Sequence, residues 1–129
     1  MAEHLQVELV AADRTVWSGR ADMIIARTVE GDVGVLRGHA PMLAVLTDAV
    51  VEITDEEGQV TVAVVDGGFL SVAADRVSVL SERAVLAEEI DVDEARAELD
   101  TAQGLGPADE SERRVRRAEA RLRAVERAS

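Results

Sequence analysis

The sequence has no cysteine, no lysine and no tyrosine, and only one tryptophan and one phenylalanine. The missing cysteine removes disulfides, thiolate zinc sites and thiol nucleophiles together. All 14 basic side chains are arginine, which we read as base composition rather than function. Aromatics make up 2% and hydrophobic residues 47%, so Val, Leu, Ile and Ala must fill the core. Such a core suits packed sheets better than an aromatic-walled ligand pocket. Positive charge is scarce: 26 acids against 14 bases give a net charge of −12. A chain this acidic is repelled by nucleic acid and anionic lipid, so no nucleic-acid partner is expected. No run approaches the roughly 18 apolar residues that span a bilayer. Met1-Ala2-Glu3-His4 lacks the basic-then-apolar pattern of a signal peptide. The expectation is a cytoplasmic protein that meets a membrane only through a partner.

The 129 residues suit one domain, or a small domain with an appendage. Up to Leu86 the chain reads as short β-type runs. Leu5, Val7 and Leu9 alternate with polar neighbours, which turns one face inward. Thr15 to Ser18 reads as a strand ended by Gly19, and Met23 to Ala26 as another. Val33 to Leu36 follows the Glu30-Gly31-Asp32 turn. Val50 to Thr54 and Gln59 to Val65 flank Asp55 to Gly58 as a hairpin. Asp66-Gly67-Gly68 reads as a tight turn that lets Phe69 enter the core, and Trp17 as a core residue. Turns at this spacing predict an all-β sandwich or barrel over residues 1–86.

Residues 87–129 predict an antiparallel αα-hairpin. Glu82 to Glu110 holds ten acids and two bases, whereas Ser111 to Ser129 holds three acids and seven bases. Val92, Ala95, Leu99 and Ala102 form one apolar seam; Val115, Ala118, Leu122 and Val125 form the other. Asp91 can cap the first helix, Gly104-Leu105-Gly106-Pro107 breaks the chain, and Asp109 or Ser111 can start the second. Seams built from Ala and Val bury little apolar surface. A permanently packed hairpin and a releasable one therefore both remain open.

Chemistry-bearing constellations are sparse, and no catalytic or metal-ligating set is expected. His4 lies near the terminus, where exposure is expected. His39 sits in a Gly-His-Ala-Pro loop with no Ser, Cys or Asp at a motif spacing, so a general-base role has little support. Two distant histidines do not make a metal site, and Glu30 and Asp32 read as a solvated turn. Asp93 and Arg96 fit an intrahelical ion pair better than a nucleotide clamp. The basic second helix is either a solvated face paired with the acidic helix or a docking face for an acidic partner.

Glu30-Gly31-Asp32-Val33-Gly34-Val35-Leu36-Arg37-Gly38-His39-Ala40-Pro41-Met42-Leu43 resembles the hallmark of the ε subunit of the F-type ATP synthase. Val7 to Val10, Asp13-Arg14 and Ser18-Gly19 resemble the family's opening strands, and Val65 to Phe69 its Gly-Gly-Phe turn. Val77 to Leu80 followed by Ala87 to Asp91 resembles the passage into its helical hairpin. The resemblance runs in order along essentially the whole chain. It implies a non-catalytic rotor subunit, peripheral on the cytoplasmic face of the cell membrane. The sandwich would bind the γ subunit and the c-ring and help couple proton flow to ATP synthesis. The loop Gly38, His39, Ala40, Pro41, Met42 and Leu43 would face γ or the ring.

The resemblance also implies that the hairpin can extend towards the α and β subunits and restrain ATP hydrolysis. Arg116, Arg117, Arg121 and Arg123 would then meet acidic β-subunit surface. Val92 to Ala97 falls on the family's Ile/Leu-Asp-x-x-Arg-Ala motif, with Asp93, Arg96 and Ala97 matching and Val92 departing. This implies ATP as a regulatory ligand at Asp93 and Arg96, with no cofactor required. Arg37 stands where the family has Pro. A nucleotide-sensing module is the alternative reading.

Overall fold

The computed structural model describes residues 4–129. Period-two alternation is realised as seven strands: β1 (Leu5–Val10), β2 (Thr15–Thr28), β3 (Gly31–Leu36), β4 (Met42–Asp55), β5 (Val60–Ala73), β6 (Arg76–Leu80) and β7 (Ala84–Leu86). Two helices follow, α1 (Val92–Gly104) and α2 (Asp109–Ala128). The strand order is β1-β6-β5-β4-β2-β3, β7 lies on β5, and β1 also pairs with β2. Five strands therefore close a ring, while β3 and β7 each pair with a single strand and stay at its edges. Only β1–β6 is parallel. Leu5, Val7 and Leu9 of β1 meet Ile24, Val35, Val51, Ile53, Leu70, Val77 and Val79 inside, as the alternation requires. The all-β body followed by a helical hairpin is the architecture expected from sequence.

Strand ends differ from expectation, because three of the strands run unbroken for 14 residues each. Gly19 does not end β2. It pairs with Val7, and the Trp17 ring lies over it, 3.2 Å from where a Cβ would stand. A glycine inside a strand here marks close side-chain approach rather than a stop. Gly67-Gly68 does not turn the chain either. The β4–β5 register stays constant from Thr54↔Val60 to Met42↔Val72. What changes is the partner on the other edge of β5: β7 pairs with Ala63 to Val65 and β6 with Phe69 to Ala73. Gly68 (φ +114) sits at that joint, where a Cβ would fall 2.0 Å from the Leu80 carbonyl oxygen. Phe69 points outward and is 51% exposed, contrary to the expected core position.

The β5–β6 connection is a two-residue turn, Ala74-Asp75, with φ of 50 and 61. Positive φ at both central positions matches the twist of a hairpin. Among the described residues these are the only non-glycine positions with positive φ. The left-handed region costs an L-residue about 1–2 kcal/mol.

Asp91 caps α1 by accepting the Glu94 N–H at 3.0 Å. α2 has no side-chain cap; Ser111 instead donates to the carbonyls of Gly106 and Ala108. Ala95, Ala102 and Ala118 are buried in the predicted seam. A second stripe, Ala120 and Ala124, packs against Val62, Val64 and Ala87, with Val50, Val85 and Ile90 at its rim. The hairpin thus covers the outer face of one half of β4 and β5.

Candidate functional site

The hallmark loop lies between β3 and β4. Gly38 has φ +78, a conformation that favours glycine. Its N–H donates to Asp75 Oδ1 at 2.7 Å, and the His39 N–H donates to the Leu36 carbonyl at 3.2 Å. The His39 Nδ1–H donates to the Ala40 carbonyl at 2.7 Å, since a carbonyl only accepts. That fixes the tautomer and leaves Nε2 free. Ala40 and Pro41 are exposed, Met42 leans on the core, and Leu43 is 74% exposed. The six residues form one ridge, of which Met42 faces inward.

Leu43 continues into a feature that the sequence reading missed. Val45 pairs with Phe69 and Phe69 with Leu80, one residue from each of three adjacent strands on the outer face. All three are about half exposed. Val10 lies beside Leu80 and extends the row to β1. The sequence signal was present, because Met42 to Leu46 is apolar on both faces of its strand. A half-buried strand needs only one apolar face. α2 covers the valines at one end of this outer face, while the Val45–Phe69–Leu80 row stays open.

The basic helix faces the sandwich. Arg121 donates to both carboxylate oxygens of Asp66, each at 3.0 Å. Arg117 stands 3.6 Å from Asp48 and 3.9 Å from Asp66, and Arg116 lies 3.9 Å from Asp48. Arg127 reaches Glu52 at 3.1 Å. Asp48 and Asp66 are cross-strand neighbours, so two adjacent carboxylates attract Arg116 and Arg117 and, one turn on, Arg121. Arg123 is exposed and forms no ion pair among the described residues. Three of the four predicted partner-facing arginines are thus engaged internally in this conformation. Arg117 Nε is buried without a hydrogen-bond partner.

Beside these pairs lies a cavity of about 590 Å³ between α1, α2 and the sandwich. Arg83, Arg114, Arg117 and Arg121 line it with five carboxylates, Asp66, Glu89, Asp91, Glu94 and Glu98. Arg114 bridges to Glu98 across the helices at 2.6 Å. That hydrogen bond holds the Glu98 carboxyl below the usual range. Arg14 does the same to Glu89, whose carboxylate also accepts the Leu86 N–H. Asp93 and Arg96 are exposed on α1 and do not line the cavity, and they form no ion pair with each other.

His4 is held between Asp22 and Glu56, 3.1 Å from each, rather than free in solvent. Asp32 pairs with Arg27 at 3.0 Å. Among the described residues no group of three His, Asp or Glu is suited to hold a metal. No helix among them is long and apolar enough to cross a membrane.

The family described as ATP synthase, Delta/Epsilon chain, beta-sandwich domain matches residues 4–87. The ATP synthase epsilon chain of Streptomyces griseus is 50% identical over 125 residues, covering 97% of this chain and 98% of its own. That of Rhodococcus jostii is 49% identical over 129 residues, covering 99% and 100%. A chain of the OSCP/F1/c-ring assembly of Euglena gracilis mitochondrial ATP synthase superposes with a TM-score of 0.76 at 26% identity, covering 98% of this chain and 79% of that one. A chain of the Tetrahymena thermophila mitochondrial ATP synthase central stalk and c-ring shares the fold at 16% identity, with a TM-score of 0.67 and coverage of 95% and 97%.

Proposed function

The chain belongs to the ATP synthase delta/epsilon family as an ε chain, and from that premise we propose that it is the rotor-stalk subunit coupling proton translocation to ATP synthesis. The sandwich seats on the γ subunit and the c-ring. The observation that carries this reading is the uncovered apolar row Val45–Phe69–Leu80 beside Leu43. Contiguous exposed apolar surface of this kind marks an interaction site. The ridge Gly38 to Leu43 borders it and supplies polar backbone and His39 Nε2 at the rim, as interfaces require. The subunit is non-catalytic, needs no cofactor, and is held at the cytoplasmic face of the membrane through the complex. Mixing the full chain with γ should give a stable complex on gel filtration, and separate elution would overturn the reading.

The hairpin acts as a brake on ATP hydrolysis. Docked, its Arg116, Arg117 and Arg121 neutralise Asp48 and Asp66. Extended, the same arginines with Arg123 present a cationic face to acidic surface on the β subunit, with α alongside. The two states compete for one set of charges. Removing residues 91–129 should raise ATP hydrolysis by the whole enzyme, whereas unchanged hydrolysis would count against a brake.

The cavity favours a second reading, a nucleotide-sensing role. Four arginines line the space beside five carboxylates, and an anionic ligand such as ATP would hold the hairpin down by taking over arginines now paired with Glu98 and Asp66. Asp93 and Arg96 lie just outside on α1, where a bound nucleotide can extend to them. Calorimetry with ATP tests it: binding heat lost in Arg96→Ala supports the site, and no heat with the parent chain removes it.

A further inference from the structure

We propose that Asp75, in the β5–β6 turn, is a positioning residue that fixes the partner-facing loop Gly38 to Leu43. The inference rests on the proposed γ- or ring-facing role of that loop and adds a residue outside it. Three observations meet at Asp75. Its carboxylate accepts the Gly38 N–H at 2.7 Å across a separation of 37 residues. The other hydrogen bonds of residues 37–41 among the described residues stay within the loop and its β3 end, from His39 to Leu36 and to Ala40. The Asp75 backbone carbonyl accepts the Gln6 N–H at 2.9 Å, so the turn that carries the carboxylate is tied to β1.

The third observation is the conformation. Asp75 has φ +61 and Ala74 has φ +50, in a turn type that glycine, asparagine and aspartate fill at least cost. Glycine would fit the backbone better but would bring no acceptor to Gly38. Aspartate is among the few side chains that tolerate this conformation, so the turn presents a carboxylate to the loop where glycine could not. Gly38 is the right place for such a tether. Its φ of +78 and the open space around it leave the loop little else to hold its shape. Fixing the loop before binding lowers the entropy lost on association.

The test compares Asp75→Gly, Asp75→Asn and Leu43→Asp in the full chain, each titrated with purified γ. Asp75→Gly relieves the backbone and removes the acceptor. It should melt no lower than the parent, exchange the Gly38 amide about tenfold faster, and bind γ about tenfold more weakly. Asp75→Asn keeps an acceptor oxygen and tolerates the left-handed conformation, so it should restore both readouts. If Asp75→Gly binds γ as the parent does while Leu43→Asp binds poorly, the loop faces γ but Asp75 does not position it, and the proposal falls. If Leu43→Asp also binds as the parent does, the γ-facing role of the loop falls, and with it the proposal that Asp75 fixes the loop for γ.

Discussion

Replacing Arg121 by Ala should release the hairpin while leaving the sandwich folded. The apolar part of the docking contact is built from small side chains. On the helix side Ala120 and Ala124 are fully buried, and two methyl groups contribute about 1.6 kcal/mol at ~0.8 kcal/mol per buried carbon, to which the covered faces of Val62, Val64 and Ala87 add. The Arg121–Asp66 pair is bidentate, and the Asp66 side chain is only 5% exposed. Removing one partner of a fully buried pair costs about 3–5 kcal/mol, because the other charge is left uncompensated. Arg121 is 17% exposed and Arg117 stays near Asp66, so about 2 kcal/mol is the fitting figure. Undocking relieves that penalty by returning Asp66 to water. The docked-to-released ratio should therefore fall about 30-fold, at 1.4 kcal/mol per factor of ten. Hydrogen exchange along α2 reads the ratio, and calorimetry reports the sandwich separately. Adding Asp66→Ala to Arg121→Ala should recover part of the protection, since the Asp66 carboxylate left without its bidentate partner is then gone. Protection of α2 in Arg121→Ala within twofold of the parent would refute the argument and assign docking to the alanine stripe.

Other consequences are simpler to score. Gly68→Ala should destabilise the sandwich by about 3 kcal/mol or more, read as a lower calorimetric midpoint, because the new Cβ falls 2.0 Å from the Leu80 oxygen at a left-handed φ. Acid should loosen the helix pair. Glu98 has its carboxyl pKa lowered by Arg114, so its contribution is present above the unfolded value of about 4.3 and is lost as pH falls through the folded one. Glu98→Gln should remove that acid step from the α1 exchange profile, and an unchanged profile would exclude this pair as its source.

The body of the fold was legible because its signal is local. Leu5, Val7 and Leu9 alternate and end up inside, and Asp91 caps the helix it precedes. What escaped depends on which strands meet. Gly19 and Gly68 look like stops in one dimension, yet each makes room for a neighbour that only the folded sheet supplies, the Trp17 ring and the Leu80 carbonyl. Phe69 was assigned to the core because hydrophobicity alone does not say which face of a strand is covered. The Ala120–Ala124 stripe escaped for the opposite reason, since alanine gives little periodic contrast beside Arg121 and Arg123. Of the site residues, Gly38 to Leu43 are contiguous and stay together. Arg116, Arg117 and Arg121 were legible as a basic face, but Asp48 and Asp66 as their partners were not, because that pairing needs the β4–β5 register.

The open row Val45–Phe69–Leu80 is the proposed seat of γ. Phe69 exposes about half its surface, and a phenylalanine buries roughly 200 Å² in full, so about 100 Å² is available to a partner. At ~25 cal/mol per Å² that is about 2.5 kcal/mol, or roughly 60-fold in affinity. The direct measurement is a calorimetric titration of γ with the parent chain and with Phe69→Ser, both confirmed folded by their melting profiles. Tight binding by the parent and a loss near 60-fold in the variant are expected; equal affinities would strip the row of its proposed role.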